Sequence, residues 1–191
     1  MNKLIAHLEK YYQIRIAKDF VVEDYFFIEQ YKKKDFLVKE NTNSKFFYLV
    51  LDGYIRSYHL SEHGEEITTE LYREGDLAAS MYSLLKSEKA YENIQCITDT
   101  IVCKISEESF ERLCLQNIQW FQLGMKFLKK DILSKEERLL GFAKLSAKER
   151  YQKLLNEKPD IVQNVPVIYL ASYLGIKPES LSRLRNQLGI S

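Results

Sequence analysis

Five polar side chains within nine residues carry the clearest chemistry in this sequence. They are Lys177, Glu179, Ser180, Arg183 and Arg185, in the stretch KPESLSRLR. Leu181 and Leu184 recur between them at helical spacing, which predicts a helix with an apolar inner side and these polar groups facing out. An arginine pairs with guanine, a glutamate accepts from cytosine, and a serine serves phosphates or bases. A helix carrying all three suits a DNA major groove. The alternative is an ordinary helical hairpin with a solvated charged face.

The segment just before supplies the support such a helix needs. A first helix is predicted from about Pro166 to Leu174, with Leu170, Ala171 and Leu174 facing inward. Ala171 is small where two helices must cross closely. Gly175 follows, where a left-handed residue turns the chain at low cost. Ile176 fills the turn, and Pro178 stands where a second helix begins and a missing N–H costs little. The pattern is that of a helix-turn-helix.

Charge distribution agrees with this reading. The 191 residues hold 28 Lys/Arg and 27 Asp/Glu. Residues 1–140 hold 20 basic against 23 acidic, whereas residues 141–191 hold 8 against 4. A basic tail on an acidic body fits phosphate attraction at the C-terminal end. Other chemistries are poorly represented. No acid–base pair, nucleophile triad or Gly-rich phosphate loop stands out, so no catalytic residue is assigned and the chain reads as a non-enzyme. Cys96, Cys103 and Cys114 lie among apolar neighbours with no CxxC pair, which predicts core thiols in a reducing cytoplasm and no metal site. His7, His59 and His63 are expected at the surface, and Glu65-Glu66 as a solvated hairpin charge. No apolar run approaches the ~18 residues of a membrane span. The first residues, MNKLIAHLEKYYQIR, carry charges unlike a signal peptide.

The elements that must position the reader fall into three blocks. The first ~25 residues are predicted helical, with Leu4, Ile5, Leu8, Tyr11 and Tyr12 at helical spacing. From about Tyr25 to Ser106 short runs rich in Phe, Tyr, Val and Ile predict strands: Phe46–Leu51, Tyr54–Leu60, Ile67–Tyr72 and Ile101–Ile105. Breaks fall at Asn41–Ser44, Asp52-Gly53, Glu62–Gly64 and Glu74–Asp76. The two Gly pairs, Asp52-Gly53 and His63-Gly64, signal hairpins. Many short strands imply a β-sandwich or jelly roll. Ser106 is placed to cap a short helix, EESFERL.

Ile118, Phe121, Met125, Leu128, Ile132, Lys135, Leu139 and Phe142 then alternate by three and four residues. That is a heptad seam on a helix of about residues 117–144, apolar except at Lys135, and it predicts a two-helix dimer interface. A long helix packed on its own domain is the alternative. Ser146 and Glu149 form a capping box that starts a further helix, closed by Pro159. The domain boundary is placed at Leu145/Ser146, giving 1–145 and 146–191.

Taken together, the chain resembles the cyclic-AMP receptor protein (CRP/FNR) family. The stretches FFYLVLDGYIRSYHLSEHGEE, REGDLAAS and ITDTIVCKISEESFERL are similar to its sensor domain, and LASYLGIKPESLSRLR to its DNA reader. LSAKERYQKLL is similar to a bacterial subgroup. The resemblance implies an α+β protein: a β-jelly-roll cyclic-nucleotide-binding-like domain, a long dimerisation helix and a C-terminal helix-turn-helix. It implies a cytoplasmic, homodimeric transcription regulator, with double-stranded DNA as partner, RNA polymerase as a candidate partner and no membrane. The dimer contacts would be Ile118, Phe121, Met125, Leu128, Ile132 and Leu139. The competing function is a small-molecule-sensing or protein-interaction module with a non-functional reader.

The resemblance also marks departures. Family members that bind cyclic nucleotides carry Gly-Glu and Arg-Ser pairs, whose Glu meets the ribose and whose Arg meets the phosphate. Here those positions are Ala79-Ser80 and Ala90-Tyr91. A buried phosphodiester without its arginine is an unpaired charge. Cyclic AMP is therefore not expected as effector, the effector is unknown and no cofactor is predicted. Tyr82, Ser83 and Tyr91 would line the pocket with Ala79, Ser80 and Ala90, and Ala90→Arg with Ser80→Glu is expected to restore nucleotide affinity. In the reader, Pro178 stands where the family has an arginine, Lys177 where it often has a capping serine, and Pro166 where it often has a phosphate-contacting threonine. The family's β-hairpin wing has no counterpart in the six residues after Arg185.

Overall fold

The computed structural model describes residues 2–13 and 24–189. A helix, α1 (Asn2–Tyr12), precedes strands β1 (Phe27–Tyr31), β2 (Phe36–Val38), β3 (Phe46–Asp52), β4 (Ile55–Leu60), β5 (Glu66–Tyr72) and β6 (Leu77–Ala78). Next come α2 (Met81–Lys86), β7 (Asn93–Cys96), β8 (Thr100–Ser106), α3 (Glu107–Gln116) and α4 (Ile118–Lys144). The chain continues through α5 (Ala147–Glu157), α6 (Pro159–Asn164), α7 (Val167–Leu174) and α8 (Pro178–Gln187). The strands form two antiparallel sheets, ordered β1-β8-β3-β6 and β2-β7-β4-β5. This is the expected jelly roll.

The continuous apolar run of β3 has a structural cause. Tyr48 and Val50 pack between the sheets with Val38, Ile55, Ile94 and Val102. Leu49 and Leu51 point the other way, into a cluster with Leu4, Leu8, Leu113, Trp120 and Leu123. Strands buried on both faces lose the polar alternation of a half-solvated sheet. Turns fall where the sequence signals them, with Gly53, Gly64 and Gly75 all at positive φ.

Expectation and structure differ at both ends of the sensor. The first helix stops at Tyr12, short of the expected ~25 residues. Gln13 is left-handed at φ 54°, and Lys126 Nζ takes the Tyr12 carbonyl at 2.6 Å. The expected helix beyond residue 13 falls on residues 14–23, outside the described residues, and the Ile5 side chain is likewise not described. His7 is 6% exposed, 3.0 Å from Glu74, and is not a surface residue. Glu66 is no free hairpin charge, because it accepts from Arg56 at 2.5 Å.

On α4 the two faces separate cleanly. Trp120 and Leu123 are buried against the first sheet, while Ile118, Phe121, Met125, Leu128, Ile132 and Leu139 stand between 36% and 69% exposed. Asn117 caps its start through Gln119 N at 2.8 Å. The Ser146–Glu149 capping box starts α5 as expected. Pro159 does more than close that helix: it opens α6 as its first residue.

The C-terminal helices share a core with the sensor. Leu71 and Ile97 of the second sheet join Tyr151, Leu154, Ile161, Leu170, Leu174 and Leu181 in one cluster. α7 lies along β5, the edge of its sheet. Ser172 Oγ accepts from Thr68 N and donates to the Glu66 carbonyl, both at 2.9 Å, so it satisfies edge groups that a further strand would otherwise take. Arg56, 2% exposed, is sandwiched between the rings of Tyr58 and Tyr169 at 4.1 and 3.7 Å.

Ser172→Ala should lower stability by about 1–3 kcal/mol, because it leaves two edge groups of β5 without their partner. Urea unfolding measures this. An unchanged midpoint would mean that water satisfies the edge.

Candidate nucleic-acid interface and sensor cassette

The reader turn is built from backbone need and contact together. Gly175 caps α7 in the left-handed region at φ 67°. A Cβ there would meet the Phe142 ring at 2.7 Å. So Phe142, the last residue of the heptad pattern, seats the reader turn. Arg138 and Arg150 stack on the same ring at 4.9 and 4.6 Å. Arg150 also donates to the carbonyls of Leu145 and Leu174, while Arg138 donates to those of Tyr173 and Thr68. These two arginines hold the end of α4, the start of α5 and the end of α7 in one arrangement. Nothing in their sequence spacing marks that role.

On α8, Lys177, Glu179 and Arg183 are exposed and Ser180 is half-buried. Lys177 makes no capping side-chain bond, and Pro178 occupies the first turn. Leu181 is fully buried, whereas Leu184 is only partly so. Arg185 corrects the expectation of a fifth outward group. Its guanidinium turns inward and donates Nη2 to the Val162 carbonyl at 3.0 Å, with Nε buried. Arg185 ties α8 to α6. Its position one turn from Leu181 explains this, since it sits at the border of the inner face.

Of the six residues expected to line an effector pocket, Tyr82, Ala90 and Tyr91 line one open cleft with Glu88 and Lys89, whereas Ala79 lines a different cavity. Ala79, Ser80 and Ala90 are buried. Ala90 lies within the inter-sheet core beside Val50 and Ile94. Ser83 is committed to backbone: its Oγ accepts from Ser44 N at 2.9 Å and donates to the Glu88 carbonyl at 2.6 Å. Tyr82 and Tyr91 meet edge to face on the outside, with centroids 5.0 Å apart, and Tyr82 donates to Glu88. The two tyrosines and the serine are therefore structural or exterior.

A carboxylate missed by the sequence reading sits in the cassette. Glu92 lies near Ser80 and Ser57, with Asp131 and Lys135 of α4 nearby, and the buried Ser80 hydroxyl makes no hydrogen bond of its own. Burial pushes its pKa up, and the two serines and Lys135 oppose that shift. Ser57 in turn meets the Tyr72 hydroxyl at 3.2 Å. Glu92 follows directly on the pair read as family positions, so only its burial, not its type, was hidden. Ionised, it would disfavour an anion at Ser80, and Ala90→Arg with Ser80→Glu would set a second carboxylate near it. Buried thiols are unreactive here: burial pushes Cys96 up to about 11 and Cys103 up to about 12.

Glu92 gives a signed pH dependence. Its folded pKa lies above the unfolded 4.5, so the folded state binds the extra proton in the window just above 4.5. Stability contributed this way is complete below that value and is lost as pH rises through the folded pKa. Glu92→Gln should raise the melting temperature at about pH 8, with the advantage vanishing toward acid pH. Parallel pH profiles for the two proteins would refute a buried, raised Glu92.

Comparison with known proteins extends this geometry. Residues 28–117 match the cyclic nucleotide-binding domain family. The chain is 26% identical over 158 residues to the transcriptional activator protein Anr of Pseudomonas protegens, covering 83% of this chain and 61% of that protein. It is 25% identical over 159 residues to the fumarate and nitrate reduction regulatory protein of Vibrio cholerae, covering 78% and 63%. It thus spans about three fifths of the length of the curated relatives it matches. Among solved structures, FixK2 from Bradyrhizobium japonicum superposes with a TM-score of 0.75 at 21% identity, covering 86% of this chain and 84% of that one. A CRP/FNR-family transcriptional regulator from Thermus thermophilus gives 0.66 at 17% identity, with 85% and 86% covered.

Proposed function

From the premise that this chain belongs to the CRP/FNR family of regulators, we propose that it is a homodimeric, cytoplasmic transcription regulator that binds a palindromic operator. The observation that carries this reading is the outward presentation of Lys177, Glu179 and Arg183 on a helix whose inner side is anchored by Leu181 and Arg185. Arg183 reads a guanine and Glu179 accepts from a cytosine, while Lys177 and the α8 N-terminus meet phosphate. Two copies joined along α4 set two readers about one helical turn apart, which suits a two-fold operator. The exposed stripe from Ile118 to Leu139 is the surface that joining would cover. Lys135 interrupts it and pairs with Asp131 of its own helix at 2.8 Å. Such a polar break fixes register at a cost in stability.

On this reading the sensor does not take cyclic AMP. The ribose-binding glutamate and the phosphate-binding arginine are replaced by Ser80 and Ala90, and an acidic side chain, Glu92, stands near Ser80. Calorimetric titration with cyclic AMP and cyclic GMP should give no heat at millimolar ligand. Tight binding would overturn this and make the protein a nucleotide-gated regulator.

The DNA reading is tested on operators selected from random duplexes. Arg183→Ala should cost about 1–3 kcal/mol and relax preference at one position per half-site. Uniform weakening on all sequences would make Arg183 a phosphate contact instead. Absence of any salt-dependent DNA binding by the wild type would favour a sensing or protein-interaction module whose reader does not function. For the seam, Ile132→Lys should convert the dimer to monomer in analytical ultracentrifugation. A monomeric wild type would refute the dimer.

A further inference from the structure

A cavity of about 280 Å³ lies between the outer face of the first sheet and the helices that cover it. Its floor is Leu8 of α1, Leu49 of β3, Cys103 of β8 and Leu123 of α4, none more than 4% exposed. Ala79 and Met81 of the cassette close one side. The space is open on one side, where Leu85 and Phe121 stand 73% and 52% exposed. An apolar cavity of ~150 Å³ stays dry and binds benzene. By proportion this one holds roughly ten to fifteen non-hydrogen atoms.

The lining defines the chemistry of the occupant. Its polar groups are chiefly Tyr72 and Asp131, and both are engaged elsewhere. The Tyr72 hydroxyl meets Ser57 at 3.2 Å, and Asp131 pairs with Lys135 at 2.8 Å. Among the described residues that line it, no side chain offers a cation to an anionic ligand. A charged or nucleotide ligand would therefore lose its hydration without compensation. The remaining side is formed by Phe121, Met125 and Leu128, which also belong to the exposed stripe of α4.

We propose that this cavity is a binding site for an uncharged apolar small molecule. It is separate from the cassette surface at Tyr82 and Tyr91. An occupant touches the inner flanks of Phe121, Met125 and Leu128 and biases how the stripe packs. This coupling rests on the dimer reading above, whereas binding itself does not.

The test uses the whole chain and the uncharged fluorophore N-phenyl-1-naphthylamine. Saturable enhancement is expected, weakened about tenfold or more in Ala79→Phe and Cys103→Phe, which fill the cavity. Leu60→Lys, an exposed position of β4 outside both the cavity and the stripe, should bind as the wild type does. A second measurement in the wild type stands even if the filled variants do not fold. Cys114 lines the cavity and is partly exposed, so the bound probe should slow its labelling by methyl methanethiosulfonate. No enhancement overturns the proposal. So does enhancement that survives both filled variants with Cys114 unprotected, which would put the probe on the open stripe. Sedimentation with and without probe separates the outcomes: binding to a monomer refutes the dimer while leaving the site intact.

Discussion

The structure depends on how one 27-residue helix divides its surface. A helix has a single circumference, and α4 must serve three neighbours with it. Trp120, Leu123 and Phe127 close the outer face of the first sheet. Phe121 to Leu139 form the uncovered stripe, and Phe142 carries the reader turn. Burying the sheet-facing set removes large apolar surface from water, and at ~25 cal/mol per Å² this anchors the helix firmly. Because that face is anchored, the stripe cannot rotate inward to hide itself. The exposed apolar residues are a geometric consequence of the sheet contact, and a surface of that kind marks an interaction site.

Burial also governs the chemistry around Ser80. In a nucleotide-binding cassette a cation must offset the phosphate inside a low-dielectric space. Here the interior near Ser80 holds the Glu92 carboxyl, with a pKa raised by burial. Desolvation is the largest cause of that shift, so the environment resists charge of either sign unless a partner is present. Ala90 is packed among Val50 and Ile94 in the inter-sheet core, where an arginine would displace apolar contacts.

Local rules made much of this legible beforehand. Gly175, Pro178, the Ser146–Glu149 box and the hairpin glycines act within a few residues of themselves, so their spacing sufficed. The heptad pattern located α4 for the same reason. What stayed hidden depends on distant partners. Arg185 turns inward because the Val162 carbonyl lies 3.0 Å away, and no local rule distinguishes it from Arg183. Ser83 is taken by Ser44 and Glu88 through the fold of the cassette. His7 is buried only because α1 lies on the turn at Glu74. The docking of α7 on β5, and with it Ser172, Arg56 and Tyr169, joins residues a hundred positions apart.

That docking bears on how a sensor could govern a reader. Leu71 and Ile97 of the sheet lie in the same core as Leu170, Leu174 and Leu181. Arg138 bridges the Thr68 and Tyr173 carbonyls, and Lys158 faces the buried Glu70. A reader held by a shared core moves as a body or not at all, since packed interfaces switch between discrete states. Phe142 on Gly175 is the point where a shift of α4 meets the reader turn, with no slack between ring and backbone. A ligand alters reader position only through a difference in its affinity for two such arrangements. The shared core, the Arg138 bridge and the Phe142–Gly175 contact are the places where α4 and the β5 edge meet the C-terminal helices.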